Sequence, residues 1–204
     1  MLEKMDERVT DIDKTEYDQA VIDFMKARRS VPAKTMGGSG PDDETLREIV
    51  AIAARVPDHG KIAPWRFVRY SQETCNKLNE RIAARARELN PDISDAEMEI
   101  EETRFSRSPV IVGIISAPVD HPKVPHWEQV LSSAAAAMNM LIAANAHGFD
   151  AQWLSEWIAR DEVLAPHFGV GEGETITGFI HMGTRTMPKT DRDRPDLERV
   201  YVTM

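Results

Sequence analysis

"HWEQVLSSAAAAMNMLIAANAHG", residues 126–148, is the longest helical pattern in the chain, and Gly148 supplies its stop. A helix on the surface of a lone globule carries one apolar stripe and one polar face. Between Ala134 and Ala146 this one is apolar or small almost all round, so it must be buried on several sides. Short strand-like runs flank it. Before it, Pro109–Ala117 is a continuous apolar run that reads as a buried strand, although Gly113 weakens the pattern. After it come FDAQWLS (149–155) and TITGFIHMGT (175–184), two more strands with a short helix expected around Arg160–Phe168.

The amino-terminal half reads as helices joined by one unusual loop. Residues 15–29 place Tyr17, Ala20, Val21, Phe24 and Met25 at helical spacing, ending in Arg28-Arg29-Ser30. A second helix follows Asp42 and Asp43 and carries Leu46, Ile49, Val50 and Ala53 on one face. It leads into "ARVPDHGKIAPWRF" (54–67), where Pro57, Gly60 and Pro64 fix the backbone around Arg55, His59 and Lys61. Such a loop is built to hold its side chains still. Trp65–Tyr70 has strand character, and Ser71 opens a long helix with Leu78, Ile82 and Ala83 on one face. The acidic run DISDAEMEIEETRFSR (92–107) reads as a solvated helix face. The tail LERVYVTM (197–204) has strand propensity and would add an edge to a neighbouring sheet, such as a partner subunit's.

The totals exclude several classes of function. At 204 residues the chain suits a single domain over 15–204 with an extension at 1–14, and it shows no internal repeat. A net charge of -9 disfavours sequence-independent attraction to nucleic acid or an anionic membrane. The apolar runs at 109–119 and 134–146 are shorter than the roughly 20 residues a bilayer span needs. No secretory pattern opens the chain, so a cytoplasmic location is expected. Cys75 has no second cysteine to pair with and reads as inert. His121 and His126, with Pro122 and Pro125 between them, make a poor ligand pair, so no metal is expected.

Dinucleotide, P-loop, CxxC, HExxH and nucleophile-elbow patterns are all missing. What recurs is arginine at the ends of elements: Arg28 and Arg29, Arg55, then Arg185, Arg192 and Arg194. In an acidic protein such clusters suggest a phosphate-bearing ligand, because the guanidinium fork matches phosphate oxygens.

Taken in order, "RRS" (28–30), "PDHGKIAPWRF" (57–67), "HPKVPHWEQ" (121–129), the alanine-rich helix, "GFDAQWLS" (148–155), "GFIHMGT" (178–184) and "DRDRP" (191–195) resemble the nitroreductase family of flavin mononucleotide (FMN) enzymes, most closely its short NAD(P)H nitroreductase branch. The resemblance spans nearly all of 15–203. It implies an α+β fold, a three-layer α/β/α arrangement around a mainly antiparallel sheet, in a homodimer that exchanges carboxy-terminal arms and holds two FMN at its interface. It also implies an oxidoreductase in which NADH or NADPH reduces FMN at N5 and then leaves, and a nitroaromatic or quinone-like acceptor is reduced in its turn. No side chain is needed as a nucleophile. A flavin sensor or store without turnover, and a reductive dehalogenase, are the alternatives; the latter uses a lid, and 104–127 holds no insertion long enough for one.

Carried onto this chain, the resemblance implies that Arg28 and Ser30 hold the phosphate and ribityl chain with help from Arg29, and that Arg192 or Arg194 completes the clamp. Arg55 and His59 would touch the flavin from the loop. Trp153, Leu154 and Ser155 would back the ring, largely through backbone amides, and Trp127 is a candidate wall for the substrate pocket. Two departures stand out: Pro32 occupies a position that is basic in many relatives, and Lys61-Ile62-Ala63-Pro64-Trp65 replaces a common Asn-x-Gln-Pro-Trp. Hydride uptake leaves negative charge near N1, where a cation is wanted. Arg55 or Lys61 is the natural substitute.

Overall fold

The computed structural model describes residues 17–204. The extension expected at 1–14 and the first two residues of the first expected helix lie outside the described residues. That helix, α1, runs Gln19–Ala27, because the Asp18 carboxylate accepts from the Ala20 and Val21 amides and so starts it there. Helix α2 (Asp43–Ala53) is capped by Asp42. Strand β1 (Trp65–Arg69) leads through the Ser71 cap into α3 (Gln72–Leu89). Helix α4 (Asp95–Glu102) begins with a reciprocal capping box between Ser94 and Glu97. Strand β2 (Val110–Ser116), helix α5 (His126–Ala146), and strands β3 (Asp150–Leu154) and β4 (Thr175–Gly183) follow. In place of one helix near 160–168 there are two 3-10 turns, Trp157–Arg160 and Ala165–Phe168, the second carrying Pro166 and ending on Gly169 at φ 84°.

The four strands form one antiparallel sheet in the order β1-β2-β4-β3. Alternation along β2 feeds two cores. Val110, Val112 and Ile114 pack with Leu46 and Ile49 of α2 and with Ala137, Met140 and Ala144 of α5, whereas Ile111 joins Leu78 and Ile82 of α3, Phe105, Phe168 and Phe179 on the other face. Helices therefore cover both faces, giving the expected α+β layering. Gly113 has a packing reason to interrupt its strand. A Cβ there would sit 2.3 Å from the Tyr70 hydroxyl, which donates to the Phe168 carbonyl at 3.0 Å.

The alanine-rich helix is only partly covered within one chain. Ala136, Ala137, Met140, Ala143 and Ala144 are buried, but Trp127 is 64% and Leu131 59% exposed. On α1 no residue is buried, and Tyr17, Val21 and Met25 face outward. The tail forms no strand in this chain. Asp196 caps a single turn, α6 (Leu197–Val200), and Tyr201, Val202 and Met204 beyond it are exposed.

Candidate functional site

Four of the arginines singled out in the sequence meet. Arg28, Arg29, Arg192 and Arg194 line one cleft of about 500 Å³ together with Met25, Lys26 and Asp191. Asp191 braces its rim, lying 3.3 Å from Arg29 Nε and 3.1 Å from Arg194 Nη2. Arg28 is the odd member. Its Nη1 is buried and has no hydrogen-bond partner among the described residues. Burial, and then the charges of Arg29 and Arg194, weaken the hold of Arg28 on its proton. A donor left unpaired beside like charges is costly, and an anion seated in the cleft would relieve it.

Arg185 does not join them. It is held by the buried Asp150 at the start of β3, which accepts from the Arg185 amide at 3.2 Å and from its Nη1 at 3.0 Å, and pairs with Lys189 at 3.1 Å. Asp150 thus fastens the segment that carries Arg192 and Arg194. The same segment is tied to 35–39: Thr186 N donates to Thr35 O at 2.8 Å and Gly38 N to Thr184 O at 3.1 Å.

Beyond Arg28 the chain runs along β3. Val31 N donates to Ala151 O at 3.2 Å, and Ala33 N to the Gln152 side chain at 2.6 Å. Ser30 is exposed at the entrance to this segment. A second cavity of about 500 Å³ opens here, walled by Pro32, Lys34, Gln152, Leu154, Glu156 and Arg107. Trp153 points the other way, as strand alternation requires. It packs on the α5 side, over Gly178, and its indole donates to Thr177 O at 3.1 Å, so only its backbone remains for a ligand. Just past β3, Glu156 has φ 50° and ψ -177°, a region close to glycine-only that costs about 1–3 kcal/mol for other residues.

Next to that strained residue lies a group of charges that sequence reading missed. The acidic run does not form a wholly solvated face: Glu101 and Arg104 are each only 8% exposed. Arg104 forms a two-point pair with the Glu101 carboxylate and reaches Glu156, which Arg107 also meets at 3.0 Å. Trp157 Nε1 donates to Glu101 at 3.1 Å. Burial opposes the charge of Glu156, but the hydrogen bond from Arg107 and the positive field of Arg104 outweigh it, and its pKa lies below the usual glutamate value. Behind it, burial lowers the pKa of His181 to about 4, and its Nδ1 lies 3.0 Å from Ser108 Oγ.

The rigid loop is as fixed as its prolines suggest, but it sits elsewhere. The Asp58 carboxylate accepts from the Ile62 and Ala63 amides at 3.0 and 2.9 Å, and the Ser132 hydroxyl donates to Pro57 O at 2.7 Å. Lys61 and Ala63 adopt φ of 55° and 51°, a second concentration of strain. His59 bonds to Glu128 of α5 at 2.9 Å and, with Pro57, Pro64, Leu131 and Ser132, lines a cavity of about 520 Å³. Arg55 and Lys61 are exposed. This loop enters β1, whereas the arginine cleft and the segment beyond it lie along β3, and those two strands are opposite edges of the sheet. Within one chain, then, the predicted site residues form two separate groups.

A model of the nitroreductase family matches residues 25–184. A Haemophilus influenzae protein named "Putative NAD(P)H nitroreductase" is 33% identical over 162 residues, covering 78% of this chain and 86% of its own length. Among solved structures, a nitroreductase-like family protein from Bacillus cereus superposes with a TM-score of 0.75 at 20% identity, covering 94% of this chain and 98% of its own. A Bacteroides fragilis nitroreductase with bound FMN gives a TM-score of 0.68 at 19% identity, covering 92% and 100%.

Proposed function

The chain belongs to the nitroreductase family, and we propose that it is an FMN-dependent oxidoreductase that uses NADH or NADPH to reduce small electron-poor acceptors such as nitroaromatics and quinones. The observation that carries the reading is the buried, unpartnered Nη1 of Arg28 in a cleft shared with Arg29, Arg192 and Arg194. A phosphate monoester with a charge of about -2 is the complement of such a cleft. FMN, when bound, supplies the hydride chemistry.

The residues of this chain supply position and field. The four arginines would hold the phosphate, and Ser30 with the Val31–Ala33 segment would border the ribityl chain between that cleft and the cavity beside Leu154 and Glu156. Backbone groups of 153–156 then back the ring. The loop carrying Arg55, His59 and Lys61 enters the opposite edge strand of its own chain and lines a cavity other than the one beside Leu154. It would reach the latter from a second copy, and the uncovered faces of α1 and α5 supply apolar surface for such a pairing. In that arrangement Arg55 or Lys61 of the partner chain, or Lys34 of the same chain, would bring positive charge to the ring. His59, held by Glu128, would border the space left for nicotinamide and acceptor, and Trp127 stands exposed next to Glu128 on the same helix.

Among the described residues no helix is long and apolar enough to cross a membrane. The test is steady-state oxidation of NADH and NADPH by the FMN-loaded protein with a nitroaromatic or a quinone as acceptor. Turnover that depends on FMN and acceptor is expected. Bound flavin without turnover would leave a storage or sensing role instead.

A further inference from the structure

Glu156 combines two costs that a chain does not accumulate without reason. Its backbone sits in a conformation nearly reserved for glycine, and its half-buried carboxylate is held between two arginines. Neither cost is needed merely to leave β3, because a glycine at this position would make the same turn without strain. Nor is the carboxylate placed to act on a substrate. Arg104 and Arg107 hold it, Glu101 balances Arg104, and Trp157 bonds to Glu101, so two anions and two cations close on one another.

What the cluster does fix is a direction. Leu154 is the last residue of β3 paired to β4, opposite Phe179, so the Ser155–Glu156 peptide is the first not dictated by the sheet. Without an anchor a residue at φ 50° would relax to negative φ and swing that peptide. The anchor comes from the opposite wall. Arg104 follows α4 and Arg107 lies three residues on, and Thr103 and Arg107 line the same cavity as Leu154 and Glu156.

We propose that the Glu101, Arg104, Glu156 and Arg107 cluster is a positioning device for the flavin ring: the arginines grip the Glu156 carboxylate and thereby hold the strained Ser155–Glu156 peptide toward the cavity beyond Pro32. The proposal rests on the FMN reading above and deepens it. Glu156 is on this account a positioning residue, acting through its own backbone. A direct hydrogen bond to substrate is not part of its role.

The experiment compares two ligands, FMN and riboflavin, which share a ring but differ in the phosphate. Glu156→Gly removes the grip while permitting the turn, and Glu156→Gln keeps the length but not the charge. Both are expected to weaken FMN and riboflavin by the same factor, about tenfold, and to slow hydride transfer from NADPH at saturation by a similar factor. The visible band of bound flavin should lose its fine structure as the ring becomes mobile. A purely stabilising cluster would lower the melting temperature and leave both dissociation constants, the band shape and kcat at wild-type values well below that temperature. That result would overturn the proposal. If wild-type protein takes up neither flavin, it is the FMN reading that has failed, so the two failures are separable.

Discussion

Replacing Arg28 with methionine should split two properties that usually fall together, cofactor affinity and stability. In the structure Arg28 buries Nη1 with no partner, beside Arg29 and Arg194. A phosphate seated there would gain one charge-assisted hydrogen bond from it, about 1.5–3 kcal/mol. At about 1.4 kcal/mol per tenfold, Arg28→Met should weaken FMN roughly 10- to 100-fold. Riboflavin, which has no phosphate, should change by less than about twofold. The ligand-free chain behaves oppositely. Removing an unpaired buried donor and relieving repulsion from two arginines recovers about 1 kcal/mol, raising the melting temperature by about 2–4 °C for a chain of this size. Fluorescence-quenching titrations with both ligands and a thermal melt of the ligand-free protein check both halves. Equal loss of FMN and riboflavin, or a less stable ligand-free variant, would refute the assignment of Arg28 to the phosphate.

Asp150→Asn should release the segment that carries Arg192 and Arg194, since Arg185 and Lys189 both rely on that carboxylate; FMN affinity should fall about tenfold with riboflavin nearly unchanged, read by the same titrations. Arg104→Met leaves buried Glu101 with only the Trp157 indole and no cation, and should cost about 3–5 kcal/mol in urea denaturation, whereas exposed Arg87→Ala should stay within about 0.5 kcal/mol. His181 gives a pH signature. Its pKa is about 4 in the folded chain against 6.5 for an ordinary histidine, so the unfolded state binds the extra proton first. Its penalty is absent above pH 6.5, grows as pH falls toward 4, and reaches about 3 kcal/mol there. Stability curves of wild type and His181→Gln should converge in slope above that window and diverge within it.

Much of the fold was legible because its signals are local. Asp42 and Ser71 cap the helices they precede, Gly148 follows α5 in a left-handed turn, and the apolar run at 110–116 is a strand buried on both faces. Patterns failed where a partner lies far away in sequence. Arg104 and Glu101 look like members of an exposed acidic run until Glu156, 52 residues from Arg104, closes the cluster. Asp150 could have been suspected as a charged residue at the head of a buried strand, but its partners are 35 and 39 residues on. The element-end arginines were visible as a class. Only geometry separates the four that share a cleft from Arg185, which is spent on Asp150, and from Arg55, which stands at the far sheet edge. The tail has strand-forming residues and makes one helical turn in the single chain, where it pairs with no strand; the edge expected for it belongs to a partner subunit.

An anaerobic titration of the FMN-reconstituted protein, followed by visible absorbance, decides whether this chain carries electrons from nicotinamide to an acceptor through FMN. One FMN per chain should be retained through gel filtration, its colour should bleach on addition of NADH or NADPH, and the colour should return when a nitroaromatic or quinone is added. Protein that stays colourless after incubation with excess FMN, or bound FMN that neither nicotinamide can bleach, would contradict that role.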